Sequence, residues 1–105
     1  MKVISLQPVP NQEITVVPVN AEYTLMFRYF RGLMYATIRN EEEGVYIGAV
    51  RCTDRQWLIP WRRSGYGDGN FRFESENRQY PDFHDFGTSC RLAFYTADEI
   101  ESGVD

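Results

Sequence analysis

The chain has 105 residues, 43 % apolar and 25 % charged, with a formal net charge of −4; this fits one small globular domain with a limited core and excludes a disordered chain. No apolar run approaches the ~20 residues of a membrane helix, and the N-terminal segment has neither a long apolar region nor a small-residue cleavage site, so no signal peptide is expected and the chain should be made and kept in the cytosol. Four of the fifteen acids, Asp98, Glu99, Glu101 and Asp105, fall in the last eight residues, which leaves eleven acids against eleven bases in the rest, a neutral body unlike a phosphate-binding surface.

In chain order, Val3 to Leu6 reads as a short strand, broken by Gln7-Pro8-Val9-Pro10-Asn11, where two prolines remove amide donors. Glu13 to Val17 is strand-like, and Pro18 ends it or marks a sheet edge. Two clear alternations follow. Tyr23, Leu25, Phe27 and Tyr29 share one face, with Thr24, Met26, Arg28 and Phe30 on the other; after the Arg31-Gly32 turn, Leu33 to Arg39 alternates in the same way. Both faces are partly apolar, which predicts strands covered on both sides.

Asn40 to Gly44 is a polar loop with three adjacent acids, and Val45 to Cys52 is a further strand in which Gly48 suggests a bulge. Asp54-Arg55 turns the chain, Gln56 to Ile59 is expected to be a strand stopped by Pro60, and residues 61–70 form a glycine-rich loop. Phe71 and Phe73 alternate with Arg72 and Glu74 in another strand; residues 75–88 are polar, with a short helical turn expected near Asp82–Phe86; Ser89 to Tyr95 closes the domain. The expected fold is all-β, a small antiparallel barrel or sandwich of about seven to eight short strands over residues 1–96. Residues 97–105 are expected to be an acidic, solvated and frayed C-terminal tail.

Chemistry has few footholds. His84 is the single histidine, flanked by Asp82, Phe83 and Asp85, and without a second histidine or closely spaced cysteines it completes no usual metal set. Cys52 and Cys90 have no metal-ligand spacing; on strands in a reducing compartment they are expected to be half-buried thiols, a bridge requiring their strands to be neighbours. Ser89-Cys90 lies on an apolar strand with nothing to lower the thiol pKa. Gly65-Tyr66-Gly67-Asp68-Gly69 precedes a strand, not a helix, and carries no Lys-Ser/Thr, so it is no phosphate loop. Asn70-Phe71-Arg72-Phe73 superficially matches an aromatic nucleic-acid platform, but alternating Phe on a strand reads as core. No catalytic, cofactor-binding or metal residues are assigned. The bases are ten Arg and one Lys, and Arg with Tyr, Trp and Phe is the mix enriched at protein interfaces, although genome composition produces the same skew.

One ordered set of segments resembles a known family. Ile4-Ser5-Leu6-Gln7-Pro8-Val9-Pro10-Asn11-Gln12 opens the chain; Tyr23-Thr24-Leu25, Gly32-Leu33-Met34-Tyr35, Gly48-Ala49-Val50-Arg51-Cys52 and Trp57-Leu58-Ile59-Pro60 follow. Gly69-Asn70-Phe71, Tyr80-Pro81-Asp82-Phe83, Asp85-Phe86-Gly87 and Arg91-Leu92-Ala93-Phe94-Tyr95 complete the order. Over residues 3–95 this resembles the baseplate plug family of contractile-tailed bacteriophages, as in a minimal cyanophage tail; the acidic 40–43 loop and residues 97–105 depart from the pattern.

The resemblance implies a virion structural protein without enzymatic activity or cofactor, on the tail axis within the baseplate hub, made in the host cytoplasm. Its implied neighbours are hub, spike or tail-tube proteins, with the tape measure protein also in reach. A protein on such an axis is expected to form a trimer or other ring. The residues themselves offer anchors for such contacts: Trp61, Arg62, Arg63 and Tyr66, and Tyr80, Asp82, Phe83 and Phe86 in the later loop. The alternative is a small β-barrel module binding a ligand or single-stranded nucleic acid; neither a membrane nor a particular nucleic-acid sequence is an expected partner.

Overall fold

The alternation on either side of Arg31-Gly32 is realised as a long hairpin, because both turn residues take positive φ (52° and 82°), which lets the strands reverse in two residues. The computed structural model describes residues 1–42, 44–60 and 68–104. The hairpin strands are β3 (Tyr23–Phe30) and β4 (Leu33–Asn40). With β2 (Gln12–Val16) and β5 (Val45–Arg51) they form an antiparallel sheet in the order β2-β3-β4-β5. β1 (Lys2–Ile4), β6 (Gly69–Ser75) and β7 (Cys90–Thr96) form a second antiparallel sheet in the order β1-β7-β6.

The two sheets face each other as a sandwich and do not close into a barrel, and seven strands are present among the described residues. Tyr23, Leu25 and Phe27 of β3, Met34, Ala36 and Ile38 of β4, and Val45 and Ile47 of β5 point inward. Phe71 and Phe73 of β6 and Cys90, Leu92 and Phe94 of β7 meet them. The seam is aromatic: Tyr23 meets Phe71 and Phe27 meets Phe73 edge-on, with ring centroids 5.2 and 5.6 Å apart. The bulge expected at Gly48 is present, with register slipping between Ala36 and Ile38, Ala49 at φ 50° and its amide donating to Thr37 Oγ1 at 3.1 Å.

Four expectations need correction. Gln56 to Ile59 is not a strand. The segment runs beside β6, with Arg55 N donating to Phe73 O (2.7 Å) and Leu58 N to Phe71 O (2.9 Å), but at Ile59 the side chain of Asn70 takes both backbone groups in place of a ladder. The C-terminal segment is not frayed: α1 (Ala97–Ser102) starts from a capping box in which Thr96 and Glu99 each accept from the other's backbone amide, and its Ile100 is buried. The two cysteines are fully buried, unbridged thiols, not half-buried ones.

The fourth concerns the outer face of the β2–β5 sheet, which no element of the described chain covers. Phe30 is 58 % and Tyr46 66 % exposed, and Met26, Leu33 and Tyr35 between them are only half-buried.

Candidate functional site

Of the expected anchors, Trp61, Arg62, Arg63 and Tyr66 lie outside the described residues. The second group is split by the fold. Phe83–Asp85 form one 3-10 turn, capped by Asp82, whose Oδ1 accepts from the His84 amide at 2.9 Å and sits 2.6 Å from His84 Nδ1. Partial burial pushes the Asp82 carboxyl up, but these contacts to His84 outweigh it and hold the group below its usual value.

Phe83 packs edge-on against Tyr29 at 4.9 Å, and Phe86 is stacked on Phe73 at 5.4 Å with only 3 % exposure. Phe86 is therefore a core residue of the isolated chain, not an outward anchor. Tyr80 stays exposed under the Arg51 guanidinium, 4.6 Å from its ring centroid. Tyr80 and Asp82 share one cleft with Thr53, Asp54, Arg78, Gln79 and Asp85, of about 780 Å³.

The exposed sheet face was not picked out as a site in the sequence, although its residues were placed on one side of their strands. The register brings Phe30 opposite Leu33, Arg28 opposite Tyr35, and Tyr35 opposite Arg51, so aromatic, aliphatic and Arg side chains interleave across three strands. Arg31 lies over the Phe30 ring at 5.1 Å. Such a mix suits protein contact, since each group buries apolar area while Arg supplies directional donors.

The opposite side of the molecule holds a polar cluster. On β6 the outward Arg72 and Glu74 should meet water, yet they are only 4 % and 6 % exposed, because residues 54–60 run along the strand and α1 packs at its end. Glu74 Oε1 accepts from Arg91 Nε (2.9 Å) and Nη2 (2.8 Å), and Oε2 from Arg72 Nε (2.8 Å) and the Tyr95 hydroxyl (2.6 Å). Burial alone would raise the Glu74 carboxyl; hydrogen bonds from Tyr95, Arg91 and Arg72 override it and pull the group below its ordinary range. The Tyr95 hydroxyl is raised by burial and by that carboxylate. Arg72 is sandwiched between Trp57 and Tyr95, 5.0 Å from each ring centroid.

Burial pushes Cys52 and Cys90 up to about 12, the opposite of an activated thiol. His84 is mostly exposed on the surface. Among the described residues no group of three or more His, Cys, Asp or Glu is placed to hold a metal ion. The described residues form a β-sandwich with one uncovered, partly apolar sheet face. The family model of the cyanophage Pam3 baseplate plug, gp18, matches residues 1–98, the whole sandwich and the start of α1. The chain belongs to this phage baseplate plug family, a family of structural baseplate proteins. A search of curated proteins gave no match.

Proposed function

We propose that this protein is the plug of a contractile tail: a sandwich seated on the tail axis in the baseplate hub, closing the distal end of the tube by protein–protein contact alone and without catalysis. The family match across residues 1–98 carries this reading. The uncovered β2–β5 face, with Phe30, Leu33, Tyr35 and Tyr46 between Arg28 and Arg51, supports it by offering a neighbour a ready apolar surface with directional donors at its margins. Tyr80 and Asp82, and the anchors Trp61, Arg62, Arg63 and Tyr66, belong to the same proposal as loop contacts. The neighbours are hub, spike or tube proteins and the end of the tape measure. The protein joins them in the host cytoplasm as a trimer or other ring, then stays in the virion baseplate.

Electron microscopy of intact tails tests this. The expected result is density on the axis of the baseplate that accommodates the two sheets. Tails that contain the protein but show no axial density for it would refute the plug.

A further inference from the structure

The outer face of the β2–β5 sheet carries no net charge among the described residues, yet its charges are sorted along the strands. Four arginines and four glutamates lie on it or at its ends. Arg28 and Arg51 flank Tyr35 in one row across the sheet, and Arg31 sits beside that row in the β3–β4 turn. At the other end Glu22, Glu41 and Glu42 line one cleft with Arg39. Glu13 of β2 stands in the middle row, opposite Met26. None of the four guanidinium groups has an ion-pair or hydrogen-bond partner among the described residues; Arg31 and Arg51 rest only on the rings of Phe30 and Tyr80. Unpaired charges of opposite sign at the two ends of a partly apolar face make that face complementary to itself turned end for end.

We propose that, before assembly, a second copy of this chain covers the face, related by a two-fold axis that lies between the two copies and crosses the strands at the row of Met26 and Thr37. The choice of face rests on the contact role proposed above; the choice of occupant rests on the charge layout. Rotation about that axis lays each strand, reversed, over its own mate. Arg51 and Tyr46 lie one row to either side of the axis, as do Tyr35 and Arg39, so each guanidinium comes to face a ring of the other copy. Phe30, Arg31 and Leu33 come to face the end that holds Glu22 and Glu41, and Met26 meets its own mate in the middle. Glu13 also meets its mate, but at the rim, where water and salt screen the pair. Sheets stacked in this way keep their strands within about 30° of each other, the usual packing of sandwiches. Four strands about 4.8 Å apart and eight residues of about 3.3 Å each give a face of about 500 Å² per copy. A total of about 1,000 Å² is the low end for specific association, so the pair is weak, with a dissociation constant of about 10–100 μM, and parts when a baseplate neighbour takes the face.

Analytical ultracentrifugation of the full chain from about 1 μM to about 1 mM tests the pairing. A reversible monomer–dimer equilibrium is expected, and it should weaken as salt is raised. Arg31→Glu and Glu41→Arg, both at exposed turn positions, should each weaken the dimer by about tenfold or more, since each sets like charges together at two symmetry-related places. An equimolar mixture of the two variants should restore it, because each turn charge then again faces its opposite. Glu101→Lys, on α1, should leave it unchanged. A monomer at every concentration, a trimer or larger ring with no dimer, single variants within twofold of the parent, or a mixture no tighter than its components would each overturn the pairing; the monomer would leave the face to a baseplate neighbour alone. Should either variant fail to fold, Tyr46→Asp, on an exposed side chain within the contact, takes its place and should weaken the dimer to the same degree. Axial density in tails is scored separately, so a missing plug and a missing dimer give different results.

Discussion

Replacing Glu74 by Gln puts the buried cluster to a quantitative test. The carboxylate accepts four hydrogen bonds, two on each oxygen, all from charged or phenolic donors. An amide of the same shape keeps one oxygen and turns the other into a donor that faces donors. Arg91 is half exposed and can exchange its partner for water, so the amide nitrogen should turn toward it and leave the oxygen to Arg72 and Tyr95. The irreducible loss is then the negative charge beside a guanidinium that water hardly reaches. Breaking a buried ion pair by removing one partner costs about 3–5 kcal/mol, and the retained amide acceptor places this variant near the lower end. A domain of this size has about 5–15 kcal/mol in hand, so the variant should still fold. Urea unfolding followed by fluorescence should show the midpoint falling with an unchanged slope. The double variant Arg72→Met, Glu74→Gln should recover about 1.5 kcal/mol or more, because no buried charge is then left unpaired. A loss below about 1 kcal/mol for Glu74→Gln, or simple additivity in the cycle, would show that Glu74 and Arg72 are solvated in solution and refute the argument.

The same carboxylate should leave a pH signature. Its folded pKa lies below the unfolded value of about 4.3, so its stabilisation is complete above that pH and is lost as pH falls through the folded pKa. Urea midpoints between pH 6 and 3 should therefore fall less steeply in Glu74→Gln than in the parent, and parallel curves would contradict this. Phe86→Ala should lower stability by about 3–5 kcal/mol in thermal or urea unfolding, as expected for a buried ring stacked on Phe73; a loss under ~1 kcal/mol would put it back on the surface. Gly69→Ala should destabilise by about 3 kcal/mol or more, since Gly69 has φ +148° and a Cβ there collides with the Tyr95 carbonyl oxygen and approaches the Phe94 ring and Thr96 Cα at 2.8 and 2.9 Å. Cys52 and Cys90, pushed up to about 12 by burial, should resist a disulfide reagent at pH 8 in the folded protein and react fully once it is unfolded; rapid labelling of the native form would disprove their burial.

The core could be read from period two alone where a strand has one apolar face and a clear turn beside it. Tyr23, Leu25 and Phe27, then Met34, Ala36 and Ile38, are both the alternating set of the sequence and the inward set of the structure. Gly48 marked its bulge because a glycine in a strand of bulky residues has no packing reason to be there. The failures share another physical origin. Arg72 and Glu74 sit at the polar positions of β6, and alternation sends such positions to water; they are covered by residues 54–60, a distant segment without strand periodicity. Phe86 lies in a polar, turn-rich stretch whose local pattern points outward, and a single 3-10 turn is enough to rotate it into the core. The helix in the tail did have a signal, Thr96-x-x-Glu99 ahead of Ile100, a capping box that the density of acids obscured. The exposed sheet face was visible as a set of residues but not as an exposed one, since a sequence does not say whether a second apolar face finds a cover.

The rims of the four-stranded sheet are poor templates for further pairing. β2 spans five residues between Pro10 and Pro18, which lack amide hydrogens, and β5 is kinked where Ala49 takes φ 50°. A strand added to either rim would lose register within a few residues, so lateral growth into ribbons or fibrils is suppressed. Contact through the flat outer face, a surface of fixed area, is thereby favoured over pairing along the rims.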